Sequence, residues 1–355
     1  MADLFRAIHR HTRMCLHVLF ASPADPERSW GPDLRGFPNG TLPRVPIGTR
    51  LPFNPAAVGA LLGYVHQGYV PIVCLYTMPT SLLSMLALTL VRKPWLLLGE
   101  PPGQDYLAGR LKTRLRDASV RQLLSMSSGA LTISFNGVKQ YGHLCSSARI
   151  AHFQYYEAAR EFRAIVRNGA TGREAPHFLV CGMLCRRKDP GQALQASEIL
   201  LRKGLAHRLV FVGGGELRTE LEQYCRDNDL AHVEFKGQVG WRSRHGVFRD
   251  ADVLVHPTRF DGWGMVVPEA LAAGMPVVTT ESCGAGVDFV EDGRNGFLLA
   301  NPVSAESLAE RMAYFVRHPA EITRMGRLAR ESVEGWTPEA GANRLCEVLD
   351  DWFPR

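Results

Sequence analysis

The chain has 355 residues, 46% of them hydrophobic and 21% charged, the balance of a globular protein with a length that accommodates about two domains. A net charge of +6 suits an anionic substrate or an anionic lipid surface, but it is too diffuse to point to nucleic acid. No apolar run reaches the roughly 18–20 residues that span a bilayer; the longest, Ser81 to Val91, is interrupted by Ser and Thr. The N-terminus carries no cleavable signal pattern. The eight cysteines are scattered, and Cys181 and Cys185 have no second pair. They read as buried thiols of a reducing cytosol rather than as disulfides or a metal site.

Asp3 to Arg10 predicts a short amphipathic helix with Leu4, Phe5 and Ile8 on one face, and Cys15 to Ala21 a buried strand. A doubly wound domain opens with a strand, a phosphate-facing loop and then a helix. This chain opens at the helix. Either the natural start lies upstream or the N-terminal sheet lacks its first strand. Ser22 to Pro55, rich in Pro, Gly and charge, reads as a long loop. Helices are then expected at Ala56–Val65 and Ser81–Val91, with strands at Val70–Tyr76 and Trp95–Leu98. Glu100 follows at a strand's carboxyl end, where open α/β sheets place ligand groups; a Glu in a proline turn is the alternative. Tyr106 to Met126 is a basic helix with a stripe of Leu107, Leu111, Leu115 and Ala118 beside Arg110, Arg114 and Arg121. Such a pair of stripes rests on anionic lipid headgroups, or consists of core leucines with solvated arginines. A strand at Ala130–Phe135 and a polar linker at 167–176 complete this half.

The second half alternates strand and helix. Strands are predicted at His177–Gly182, His207–Val212, His232–Lys236, Asp252–His256 and Met275–Thr280, with helices at Gly191–Arg202 and Glu216–Arg226. That alternation means a parallel sheet with helices on both faces. Gly213-Gly-Gly-Glu216 lacks the third glycine of a dinucleotide fingerprint, because Arg218 holds its place. It is either a phosphate- or sugar-facing turn, with Gly214 at its centre, or a tight turn without ligand. Asp227-Asn-Asp229 has a metal-binding form but falls at a helix end, as a solvated cluster. His256 reads as a packed histidine.

Between the last two of those strands lies Arg259-Phe-Asp-Gly-Trp-Gly-Met-Val-Val-Pro-Glu-Ala-Leu-Ala-Ala-Gly274. A glycine-bracketed loop entering a helix, with Pro268 suited to the first helical position, makes an anion site from backbone N–H groups and the helix dipole. Asp261 and Glu269 flank it as acceptors for hydroxyls. A phosphorylated sugar has both features.

This segment resembles the donor loop of the GT-B glycosyltransferases of family 4. That family carries two glutamates separated by seven residues; here Asp261 takes the first place and Glu269 the second. Gly182-Met-Leu-Cys-Arg-Arg-Lys-Asp189 resembles the family's Gly-Arg-Leu…Lys-Gly signature, with Lys188 matching and Met183 replacing the Arg. Arg186 or Arg187 is a candidate replacement cation. Lys236 to Gly240, with Val239, resembles the segment whose backbone meets the nucleobase.

The resemblance implies two Rossmann-like doubly wound domains facing a cleft: an acceptor-side domain over 1–171, a donor domain over 172–337 and a last helix, about 338–355, returning to the first. It implies retaining transfer from a nucleotide-diphosphate sugar to a glycan or lipid-linked acceptor, with no cofactor and no required metal. The setting would be cell-surface polysaccharide or glycolipid biosynthesis on the cytoplasmic side, peripheral on the membrane through 106–126. Lys188 with Arg187 or Arg186 would stabilise the departing diphosphate, aided by N–H groups of Gly262, Trp263, Gly264 and Met265. Glu269 would accept from the ribose hydroxyls, Asp261 would orient the sugar, Gly182 would line the donor site, and Glu100 would stand where the family often has a histidine facing the acceptor. A second reading is a non-catalytic relative that binds nucleotide sugar or a partner; Met183, Glu100, Asp261 and the missing strand motivate it.

Overall fold

A computed structural model describes residues 1–11, 13–20, 34–42, 45–47, 51–102, 110–166, 175–240 and 243–354. It divides into two compact units, Met1–Ala158 with Trp336–Arg355, and Ala159–Gly335. The expected linker at 167–176 lies, up to residue 174, outside the described residues. Residues 159–166, assigned above to the first domain, group with the second unit. Phe162 is fully buried against Phe248, with ring centroids 5.0 Å apart, and Arg330 donates to the carbonyls of Arg163 and Ile165.

The first unit opens with α1 (Ala2–Arg10), which buries Leu4, Ala7 and Ile8. Strands β1 (Val18–Phe20) and β2 (Asn39–Thr41) pair in parallel with each other, and β1 is half-buried rather than the buried core strand expected. Within the stretch read as a loop, β3 (Val45–Ile47) and β4 (Leu51–Phe53) form an antiparallel pair with Pro46 opposite Pro52. Proline hides such a pair from pattern reading, yet it is compatible with a two-stranded ribbon that is all edge. Next come α2 (Ala56–His66), β5 (Ile72–Cys74), α3 (Pro79–Leu90), β6 (Leu96–Gly99), α4 (Arg110–Met126), β7 (Gly129–Thr132), α5 (Phe135–Leu144) and β8 (Ile150–His152). The sheet β5-β6-β7-β8 is parallel and runs in chain order. Among the described residues its order shows no reversal. Helix α5 escaped the sequence reading; it is short and mixes two glycines with polar residues. Gly137 is required there, since a Cβ would stand 1.9 Å from Thr132 Oγ1.

In α4 the described part of the leucine stripe does not enter the core. Leu111 and Leu115 are 71% and 62% exposed, while Val120, Leu123 and Leu124 are buried. That overturns the core-leucine alternative; Leu107 lies outside the described residues. Among the described residues no helix is long and apolar enough to cross a membrane. All eight cysteines are free; Cys283 and Cys346 are buried, but Cys15 and Cys74 are exposed, so burial is not general as expected.

The second unit begins with the short α6 (Arg160–Arg163) and continues through β9 (His177–Cys181), α7 (Pro190–Arg202), β10 (Arg208–Val212), α8 (Arg218–Asp227), β11 (Val233–Gly237), α9 (His245–Arg249) and β12 (Val253–His256). Then follow α10 (Val266–Ala272), β13 (Val277–Thr280), α11 (Gly284–Phe289), β14 (Gly296–Leu299), α12 (Ala305–Arg317) and α13 (Pro319–Ser332). The six strands are parallel in the order β11-β10-β9-β12-β13-β14. Numbered from β9, that is 3-2-1-4-5-6, the Rossmann order. Phe178, Leu194, Leu200, Phe211, Leu308 and Phe315 belong to its buried core, each such side chain contributing about 1.5–3 kcal/mol.

The last helix, α14 (Pro338–Trp352), groups with the first unit. Trp336 Nε1 donates to the Tyr155 carbonyl at 2.7 Å. Trp352 lies so close to Gly129 that a Cβ there would be 2.4 Å from the indole.

Candidate functional site

The order of the second sheet reverses between β9 and β12. At such a switch point the crossovers leave in opposite directions and a crevice opens beyond the strands' carboxyl ends. The two loops that begin there are the ones singled out in the sequence. They are stitched together. Arg259 N donates to Arg187 O at 3.0 Å, and Thr258 Oγ1 to the same oxygen at 3.1 Å. Arg187 NH1 donates to Phe260 O at 2.8 Å, and Arg259 Nε to Asp189 Oδ2 at 2.7 Å.

The centre of the seam is Asp261, 8% exposed. Its Oδ2 accepts from Lys188 Nζ and is 3.1 Å from His256 Nε2, while Arg187 NH1 stands 3.5 Å from Oδ1. Burial alone would raise this carboxyl. The Lys188 charge and the His256 hydrogen bond outweigh it and hold the group well below the usual carboxylate range. His256 is pushed below its ordinary value by burial and by Lys188, against the pull of Asp261, so the neutral imidazole donates from Nε2. The sequence prediction of a packed histidine holds, but this one anchors a site residue. Gly264 lies at φ +86°, and a Cβ on it would meet Cys283 Sγ at 2.6 Å and Asp261 Oδ2 at 3.1 Å. His256, Asp261 and Cys283 offer donor atoms within 4.8 Å of one another. The Lys188 ammonium already provides the cation there, and burial with the Asp261 charge pushes the Cys283 thiol up to about 12.

Glu269 is buried on α10, and its Oε1 accepts from Arg244 NH2 at 2.8 Å. The Cys181 thiol at the end of β9 is pushed up to about 12 by burial and then by Glu269, against smaller opposing effects of Arg244 and Lys188. Both charge clusters therefore act at the end of β9. Helix α10 starts at Val266, so Pro268 is its third residue rather than its first. That position still lies in the turn whose N–H groups lack helical partners. Gly262, Trp263 and Gly264 are buried and Met265 is half-exposed. The loop also braces the next one: Ala285 N donates to Trp263 O at 2.7 Å and Gly284 N to Asp261 O at 3.0 Å.

The other predicted residues separate. Gly182, at φ +140°, and Gly213, at φ +137°, bring the β9 and β10 loops into backbone contact, since a Cβ on Gly213 would stand 1.9 Å from Gly182 O. Gly214 O accepts from Leu184 N at 2.8 Å. The glycine run thus has a packing reason in the described structure. Val239 is half-buried beyond β11, where Gln238 lies against Gly214. Arg186 and Met183 are exposed, and the Arg186 backbone N donates to Glu216 at 3.3 Å. Of the two arginines, Arg187 is the one facing Asp261. Asp227 ends α8 and accepts from Gln223, as expected of a solvated cluster. In the first unit, Glu100 is exposed. Its carbonyl accepts from Tyr141 at 2.9 Å and its Oε1 from Tyr155 at 3.3 Å; Gly103 lies outside the described residues.

Residues 162–332, which hold both charge clusters, match the family model described as "Glycosyl transferases group 1". That match falls within the second unit and spans just under half of the chain. The chain is 34% identical over 220 residues to the D-inositol 3-phosphate glycosyltransferase of Streptomyces avermitilis, covering 53% of this chain and 47% of that protein. It is 29% identical over 185 residues to the GDP-mannose-dependent alpha-(1-6)-phosphatidylinositol monomannoside mannosyltransferase of Mycobacterium tuberculosis, covering 50% and 48%. The matches thus span about half the length of these curated relatives. Sucrose-phosphate synthase from Thermosynechococcus elongatus superposes with a TM-score of 0.72 at 20% identity, covering 99% of this chain and 92% of that one. Anabaena HepE in complex with UDP and glucose gives 0.69 at 16% identity, covering 98% and 95%. At such identities these likenesses show the fold, which is GT-B: α/β with parallel sheets in two Rossmann-like domains.

Sequence reasoning missed Arg244 and the tyrosines around Glu100. Arg244 stands alone in a polar stretch, with no spacing that ties it to Glu269. Tyr76, Tyr141 and Tyr155 meet only through the sheet.

Proposed function

We propose that the chain is a retaining glycosyltransferase that moves a sugar from a nucleotide-diphosphate donor to a glycan or lipid-linked acceptor, without a required metal. The carrying observation is the Lys188–Asp261 pair, flanked by Arg187 and His256, at the switch point of a Rossmann sheet. A cation held ready in a buried site stabilises charge that develops on a leaving group without further reorganisation, an effect of several kcal/mol in order of magnitude. In this reading Lys188 and Arg187 meet the departing diphosphate and Asp261 orients the sugar. Glu269 accepts from the ribose hydroxyls, and N–H groups of Gly262 to Met265 add to phosphate binding. The names of the relatives, which include a phosphatidylinositol-linked acceptor, and the UDP and glucose bound by HepE support donor and acceptor classes of this kind.

The same reading places the protein on the cytoplasmic face of a membrane. Leu82, Leu86 and Leu90 are exposed on α3, as are Leu111 and Leu115 on α4. Arg92, Lys93, Lys112 and Arg114 are exposed nearby in the chain. Leucines among cations match an anionic lipid surface.

Calorimetric titration with UDP-, GDP- and ADP-sugars, followed by an assay of nucleotide release with acceptor present, tests the proposal. Tight donor binding with release marks a transferase. Binding without release in every acceptor tried supports the second reading, a non-catalytic binder, which the exposed Met183 at the place of the family's Arg favours. No binding of any nucleotide sugar refutes both.

A further inference from the structure

One buried partner of Glu269 is an arginine that no motif announces. Arg244 immediately precedes α9, and its guanidinium lies 5.1 Å above the centre of the Phe162 ring. Its NH2 is 2.8 Å from Glu269 Oε1, with both side chains nearly closed to solvent. Phe162 is in turn locked by Phe248, and neither ring is exposed. Three short helices, α6, α9 and α10, thus meet at one ion pair. Each supplies a different part: an aromatic floor, a planar cation and the carboxylate.

The chemistry of the arrangement is specific. A guanidinium stacks its face on a ring while its edge donates to a carboxylate, which the ammonium of a lysine does not reproduce. A buried carboxylate without such a partner is strongly disfavoured as an anion. Arg244 therefore sets a cation against Glu269 and engages one of its oxygens. We propose that Arg244 is a positioning residue for recognition of the donor's sugar hydroxyls, acting through Glu269; this rests on the reading that Glu269 accepts from the ribose. Arg244 itself need not touch the ligand. Its contribution is to hold the acceptor's angle and charge before the nucleotide arrives, so that two hydroxyls of a ribose are distinguished from their absence.

The test uses the full chain and compares UDP, GDP and ADP, each with its 2′,3′-dideoxy counterpart, by calorimetry. In the wild type the preferred nucleoside diphosphate should bind about 10–100-fold more tightly than its dideoxy form, the worth of a hydrogen bond to a charged group. Arg244→Met, which keeps the apolar stem, should reduce that preference to within about threefold, and Arg244→Lys should restore only part of it. In a Glu269→Gln background, Arg244→Met should change the preference no further, because the two residues act as one unit. Phe162→Leu leaves both charges in place and should lower the preference severalfold, covering the case in which Arg244→Met does not fold. A merely structural arginine would alter thermal stability and overall affinity but leave the ribose preference intact, and that result overturns the inference. Absence of any nucleoside diphosphate binding by the wild type would instead overturn the functional reading beneath it.

Discussion

Asp261→Asn separates two roles that the wild-type carboxylate combines. In the ligand-free protein the carboxylate neutralises Lys188, whose side chain is only 17% exposed. At a separation of about 4 Å and an effective dielectric near 20, such a pair attracts by roughly 4 kcal/mol. Removing one member of a buried pair costs about 3–5 kcal/mol, because the other charge is left uncompensated. For a domain of this size that lowers the midpoint of thermal unfolding by about 6–20 °C. On the proposed function, a donor pyrophosphate supplies the missing negative charge. UDP, which carries no sugar for Asp261 to orient, should therefore bind the variant as tightly as wild type or up to about tenfold more tightly, some 1.4 kcal/mol. Its presence should recover much of the lost melting temperature. Turnover of the intact nucleotide sugar should nevertheless fall by a hundredfold or more, because the sugar has lost a charged acceptor and faces an amide NH2 in place of one carboxylate oxygen. The assay is calorimetry with UDP, differential scanning with and without it, and nucleotide release with the nucleotide sugar, at fixed ionic strength. Weaker UDP binding in a folded variant would show that Lys188 does not serve the diphosphate, and the reasoning would fail at its first step.

Lys188→Ala should lower turnover by at least a hundredfold while raising donor KM less than tenfold, as expected when an interaction is made chiefly in the transition state; steady-state kinetics with the preferred donor decide it. Gly264→Ala should destabilise the second unit by about 2–3 kcal/mol, combining the left-handed penalty with a close contact. Cys283→Ala in that background should recover part of the loss on chemical denaturation, since Sγ is the nearest obstacle at 2.6 Å. Acid stability has a separate source at the amino ends of β10 and β11, where Ser197 Oγ lies 2.6 Å from His207 Nε2 and 2.8 Å from His232 Nε2. Burial, with the neighbouring His207, lowers His232 from 6.5 to about 4. The unfolded chain then binds more protons than the folded one between about pH 6.5 and 4. Stability is fully present above 6.5 and is lost as pH falls toward 4, by roughly 2 kcal/mol after allowing for partial exposure. His232→Gln should flatten that slope in melts recorded from pH 7 to 4. Liposomes with anionic lipid should retain the wild type at least tenfold better than neutral ones, and Leu82, Leu86 and Leu90 changed together to Ser should abolish the difference in co-sedimentation.

The second unit was legible because most of its strands are buried apolar runs bounded by glycine loops and helices, while β11 alternates polar and apolar residues. Val253 to His256 is buried along its whole length, so its apolar run carries the signal without need of alternation. The first unit was less legible for local reasons. The β3–β4 ribbon is built around prolines, and α5 contains a glycine forced on it by packing; α11 of the second unit was missed for the same reason as α5. A Cβ on Gly286 would stand 2.7 Å from Thr279 Cγ2, so the residue that reads as loop is the one that lets a helix sit on the sheet. In the site, Lys188 and Asp261 could be named from the family resemblance of their segments, but their direct pairing could not. The two are 73 positions apart, and only the β9–β12 adjacency joins them.

That adjacency also explains why the charge sits where it does. Six parallel strands aim their carboxyl ends at one edge, but the loops of neighbouring strands normally follow helices packed on one face and leave no gap. Between β9 and β12 the connections diverge, so the two loops that start there bound a space no helix fills. A buried Asp261 facing that space needs a cation, and Lys188 on the opposite loop is within reach. The pair closes the seam in the absence of ligand, and the hydrogen bonds of Arg187, Thr258 and Arg259 keep the loops in register around it. On the proposed function, the cation that stabilises the seam is also the one that meets the anion. For the fold alone, a neutral, well-packed pair at 188 and 261 would serve as well or better. Lys188→Met with Asp261→Leu should then melt no lower than wild type while losing nucleoside diphosphate binding. Retained binding in that double variant would mean that the anion is held elsewhere along the edge.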